Sequence, residues 1–130
     1  MLSQFGCTDS QALNYNSNAT INDGSCVYSV TEYSPLLIGD LPSTLNETSG
    51  LIYWDDKLVT FNDSGGANKI YLIDTNGVNI VQQITISNAQ NIDWEAITQS
   101  SDSIYVGDFG NNAGSRQNLC IYGISKSDIL

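Results

Sequence analysis

Histidine is absent from the 130 residues, only four side chains carry positive charge, and Met occurs once and Pro twice. Without an imidazole there is no Ser-His-acid triad, and the commoner zinc sites lose a ligand type. Lys57, Lys69, Arg116 and Lys126 are too few to grip a nucleic-acid backbone, so no nucleic acid is expected as a partner. No stretch of 18 apolar residues occurs, and membrane insertion is not expected either. Met1–Gln4 has neither the basic nor the long apolar region of a secretory signal. Gly110-Asn-Asn-Ala-Gly114 is followed by no lysine, which excludes a phosphate loop.

Acid is plentiful. Fourteen Asp and Glu give a formal charge of -10, a field that repels anionic polymers and attracts cations. Three cysteines are present. Cys7 and Cys26 enclose a polar segment with almost nothing apolar to bury, which predicts a disulfide and an oxidising compartment. Cys120 falls in the apolar run Leu119–Ile124 and is expected to stay reduced, as a small buried side chain. A disulfide without a leader predicts a piece of a longer protein, secreted or displayed at the cell surface.

Between these cysteines, Asp9 opens a turn at Ser10–Leu13 that one helical turn would fit, and Asn22-Asp23-Gly24 is a turn signal. Asn14, Asn16 and Asn18 stand at i, i+2 and i+4, with Asp9 and Asp23 nearby, and such oxygens can fold round Ca2+. The helix-loop-helix calcium loop does not fit, because Ala19 falls where it needs Gly and Ser25 where it needs Glu. The same side chains also suit bonds to their own backbone in turns. The order Gly6-Cys7-Thr8-Asp9, Asn14-Tyr15-Asn16, Asp23-Gly24-Ser25-Cys26 and Tyr28 resembles a short repeat of exported proteins from marine and Bacteroidetes-type bacteria. That resemblance implies a disulfide-stapled linker module and no enzyme.

Ser49–Gly65 returns at an offset of 46 positions as Glu95–Asn111: a short strand, an acidic turn, a second strand and a Gly/Asn loop. Strands are expected at 50–54, 57–62, 69–74 and 79–87, then at 91–97, 103–108 and 118–124, joined by short antiparallel turns such as Asn76-Gly77. Pro35–Ile38 is expected as an edge strand. A spacing of about 40 to 50 residues suits a propeller blade. Asp93-Trp94-Glu95, Gly107–Asn112 and Ile121–Ser125 resemble repeated segments of exported bacterial β-propeller proteins. The expected fold is therefore all-β: a disulfide-stapled loop module at 1–30, a linker with an edge strand at 31–48, and a partial β-propeller of about two antiparallel blades at 49–130, the second incomplete.

Asp93 and Glu95 lie two apart at the start of a strand and are expected to share a face, while at the 46-residue offset Asp93 matches Glu47 and Asp108 matches Asn62. Glu47, Asp93, Glu95 and Asp108 are thus the candidate carboxylates of a channel cation site, with Ca2+ as the implied ion. Their other reading is that they accept backbone N–H groups where strands begin. The expected function is a non-enzymatic structural or binding module. Its partners would be further blades, a second copy, or a glycan or protein ligand. The alternative is a slice of a calcium-dependent propeller hydrolase completed by other blades.

Overall fold

The computed structural model describes residues 3–129, which divide between Leu36 and Leu37 into two units. In the first, β1 (Phe5–Gly6) pairs parallel with β2 (Ile21–Asn22), and Cys7 bridges to Tyr15. Cys7 and Cys26 are disulfide-bonded, with Cα atoms 4.8 Å apart. Cys7 and Ala12 are the buried apolar side chains of this unit among the described residues. Turn bonds supply the remaining order. Asp9 accepts the Gln11 N–H on its carboxylate and the Ala12 N–H on its carbonyl, so Ser10–Leu13 is a capped turn and not the helical turn expected. Gly24 takes φ +78° in the turn at Asn22–Gly24, which a side chain would strain.

A unit with so little to bury depends on its crosslink. Closing a loop of this length constrains the unfolded chain by about 3 kcal/mol. Replacing Cys7 and Cys26 together by Ser is therefore expected to unfold residues 3–28 while the strands after residue 47 keep their protection. Amide exchange measured region by region checks this, and unchanged protection of Ala12, Leu13 and Asn16 would contradict it.

The second unit contains two antiparallel meanders. β3 (Thr48–Trp54), β4 (Lys57–Asn62), β5 (Lys69–Asp74) and β6 (Ile80–Thr85) form one sheet in chain order, and β7 (Trp94–Gln99), β8 (Ser103–Asp108) and β9 (Cys120–Ser125) form the other. Asp55 and Asp56 make the two-residue turn between β3 and β4 with φ +51° and +54°, as a turn matched to strand twist requires. At the Asn76–Gly77 turn the positive φ falls on Val78, whose side chain is buried with Leu45, Tyr71 and Ile73. The main core lies between the meanders, where Val59, Phe61, Ile70 and Leu72 meet Trp94, Ile104 and Val106. β3 and β7 run alongside each other. A Cβ on Gly50 would sit 2.9 Å from Ile97 Cγ2, so the close approach there needs glycine.

Three expectations are corrected. The sheets are two-, four- and three-stranded, they are separate, and none closes on itself, so the chain is mostly β but is not a propeller built from repeated blades. Short turns and apolar strands dictate pairing between sequence neighbours, and an open meander satisfies that pattern as fully as a blade does. Open sheets enclose no channel, which removes the channel site. Pro35–Ile38 is not a strand either: Leu36, Leu37 and Ile38 are 87%, 77% and 60% exposed, with no neighbouring strand to pair with among the described residues.

Candidate cation site

The acidic side chains of the second unit converge where β4 ends and β7 begins. Asp63 follows β4, in a turn that Gly65 closes with φ +70°. Asn91 ties that turn to the start of β7: its Nδ2 donates to the carbonyls of Asn62 and Asp63 at 2.7 and 2.9 Å, and its Oδ1 accepts the Trp94 N–H at 3.3 Å. The pairing of β7 with β8 breaks register between Trp94 and Ala96, which leaves Glu95 as the extra residue of a bulge. A bulge re-aims its side chain. One carboxylate oxygen each from Asp63, Asp93 and Glu95 consequently lies within 4.8 Å of the others, all three residues being half-buried.

A second layer supports the cluster. The Asp93 N–H donates to Asp108 Oδ1 at 3.0 Å, and the Gly110 N–H donates to the Asp93 carbonyl at 3.0 Å. Gly110 packs so closely that a Cβ there would lie 2.6 Å from Glu95 Oε1 and would overlap the Asp93 carboxyl. Arg116 holds the loop in place: Nη1 donates to the Gly110 carbonyl at 2.7 Å, Nη2 pairs with Asp108 Oδ1 at 2.9 Å, and the Arg116 N–H donates to Asn111 Oδ1. Asp108 is fully buried, and its Oδ2 has no protein partner. A cluster of three oxygen donors on neighbouring backbone segments can coordinate a divalent cation.

No protein-family model, curated protein or solved structure matches this chain. The resemblances drawn from Gly6–Tyr28 and Asp93–Ser125 have no relative behind them, and the assignment to an exported bacterial protein of stapled repeat and propeller blades is corrected accordingly. An all-β chain with separate open sheets stands in its place.

Of the four carboxylates read from the sequence, Asp93 and Glu95 come together. Glu47 is exposed and takes part through its backbone, its carbonyl accepting the Asp63 N–H, and Asp108 lies beneath the cluster as the partner of Arg116. Asp63, Asn91, Gly110 and Arg116 were missed. Topology was the available signal for Asp63, since β4 ends beside the start of β3 and β7 starts beside it too.

In the first unit the side-chain oxygens of Asp9, Asn14, Asn16 and Asp23 are engaged in local hydrogen bonds, and Asn18 takes part through its backbone N–H. Asn14 donates to the Ser25 carbonyl and accepts the Val27 N–H, and Asn16 Oδ1 accepts the backbone N–H of Asn18. The Gln11 N–H, and after it the Tyr28 hydroxyl, hold the Asp9 carboxyl below the usual carboxylate range. Asp23 is lowered in the same way by the Ser25 side chain and then its N–H. Each lowered carboxyl contributes stability that is present above the unfolded value and lost as pH falls through the folded one.

Proposed function

We propose that the chain is a non-enzymatic binding module of an exported protein, and that Asp63, Asp93 and Glu95 hold a divalent cation, Ca2+ in preference to Mg2+. The convergence of three carboxylates at the β4–β7 junction supports this reading. Calcium accepts irregular oxygen sets completed by water, whereas magnesium demands a tight octahedron and dehydrates reluctantly. A bound cation would join the turn after β4 to the start of β7 and stiffen the surface offered to a glycan or protein ligand. The Cys7–Cys26 disulfide supports the exported location.

Calcium is expected to raise the melting temperature at ionic strength matched with sodium, because an ion that binds the folded state alone stabilises it by about 2.7 kcal/mol at one hundred times its dissociation constant. Asp93→Asn with Glu95→Gln is expected to abolish that increment, and magnesium to give less of it. Equal shifts with sodium, magnesium and calcium would leave only the screening of a chain of charge -10 and would end the proposal.

A further inference from the structure

The outer edge of β9 has no strand paired to it among the described residues, and its end at Gly123–Ser125 borders an open cleft whose other wall is the segment 84–88. The Lys126 N–H donates to the Asp102 carbonyl, and β8 pairs with β9 in unbroken antiparallel register from Ser103↔Ser125 to Asp108↔Cys120. Bonded and non-bonded pairs alternate in such a ladder. The backbone groups of Cys120, Tyr122 and Ile124 therefore face β8, and those of Ile121, Gly123 and Ser125 face away from it. Among the described residues these three have no main-chain partner on that side.

Edge strands are ordinarily protected by charge, proline or a bulge. β9 has none of these, being Cys-Ile-Tyr-Gly-Ile-Ser in regular register, whereas the pairing of the other outer strand, β6, is broken between Leu72 and Ile73. The sheet face next to the β9 edge is apolar as well. Ile121 is 65% exposed, and Tyr105, Phe109 and Leu119 are exposed beside it, with the Phe109 ring lying over Gly107. On the four-stranded sheet the corresponding outer face is covered at β5, where Leu45 and Val78 pack on Tyr71 and Ile73, and is open at β3, where Leu51 and Tyr53 are exposed.

Charge selects the occupant. Phe109–Ser127 contains Arg116 and Lys126 and not one acid, although the chain carries fourteen. Two copies of so acidic a molecule repel each other over most of their surface; residues 75–92 and this stretch are both free of acid, and of the two only this one adds positive charge, so here they can meet without acid facing acid. The outward set Ile121, Gly123 and Ser125 is also complementary to itself. Turned about a two-fold axis perpendicular to the sheet at Gly123, it places Ile121 opposite Ser125 of the second copy and Gly123 opposite Gly123. Each outward N–H and C=O then finds a partner, and the apolar faces become continuous.

We propose that a second copy of this chain docks on β9, antiparallel strand to antiparallel strand, joining two three-stranded sheets into one of six. This docking is independent of cation binding. Gly123→Pro removes an outward N–H without touching a β8–β9 bond, and a proline is tolerated on an edge. Ile121→Lys places a charge on the exposed face and serves if the first variant misfolds.

Sedimentation equilibrium of the native protein in the presence of a chelator is expected to show a dimer at high micromolar concentration. Loss of the dimer in either variant, with an unchanged circular dichroism spectrum, is expected to follow. The amides of Ile121, Gly123 and Ser125 should exchange fast when dilute and slowly when concentrated, while those of Tyr122 and Ile124 stay protected throughout. A monomer at every concentration, a dimer that survives both variants, or fast exchange at the three outward amides in concentrated protein would each overturn the proposal.

Discussion

Replacing Arg116 by Met is expected to destabilise the second unit by about 3–5 kcal/mol, the cost of leaving a buried charge without its partner. Asp108 is fully buried, and the Arg116 side chain is only 15% exposed. Without the guanidinium, the Asp108 carboxylate keeps the Asp93 N–H alone, since its Oδ2 already lacks a protein partner. The Gly110 carbonyl would lose a 2.7 Å bond at the same time, and the loop that presses on Asp93 and Glu95 would come free. Removing both charges is often close to neutral. Arg116→Met with Asp108→Asn should accordingly recover most of the loss. Urea midpoints for the four proteins of the cycle decide it, and a single variant that costs less than about 1 kcal/mol would show the pair to be exposed in solution.

The second large effect is expected at Trp94. Its side chain is fully buried, it meets Phe61 edge-on at 5.9 Å and Tyr122 at 6.1 Å, and its indole N–H donates to the Gln90 carbonyl at 3.0 Å. Truncation to Ala combines lost transfer energy, an unfilled cavity and an unpaired carbonyl, about 3–5 kcal/mol together. Trp94→Phe should cost less, because part of the ring volume stays. Both are read as shifts of the denaturation midpoint at constant slope. Trp94 stands between Asp93 and Glu95, so the Ala variant should also weaken calcium binding, as a spread of the carboxylates would. Unchanged stability in Trp94→Ala would mean that the two meanders do not share this core.

Local pairing was legible in the sequence. The strands at Lys57–Asn62, Lys69–Asp74 and Ser103–Asp108 have the expected bounds, because their apolar runs end at turn residues that cannot continue a strand. The Cys7–Cys26 disulfide was legible for a different reason, the shortage of anything else to hold that segment. What was not legible depends on distant residues. Periodicity cannot say whether meanders close into a ring, and it gave Pro35–Ile38 an apolar pattern with no partner to pair with. The candidate site was half visible. Asp93 and Glu95 announce themselves by spacing, but Asp63 arrives by way of Asn91, whose side chain bonds a turn 28 residues earlier. Arg116 looked like one of four scattered cations until the fold put it against Asp108.

For folding, the seam between β3 and β7 sets the order of events. Every ladder in the second unit joins strands adjacent in the chain, so each meander can form while closing only short loops, at small entropic cost. The seam is different: Ser49 Oγ reaches the Trp94 carbonyl and Gln99 Nε2 reaches the Tyr53 carbonyl across separations of 45 and 46 residues. Contacts of that range are slow to find. Docking of two preformed meanders is then expected as the late step, which brings Trp94 against Phe61 and closes the long loop. Asn91, bonded to the turn at Asn62–Asp63, acts as the clasp that keeps the pair from separating again.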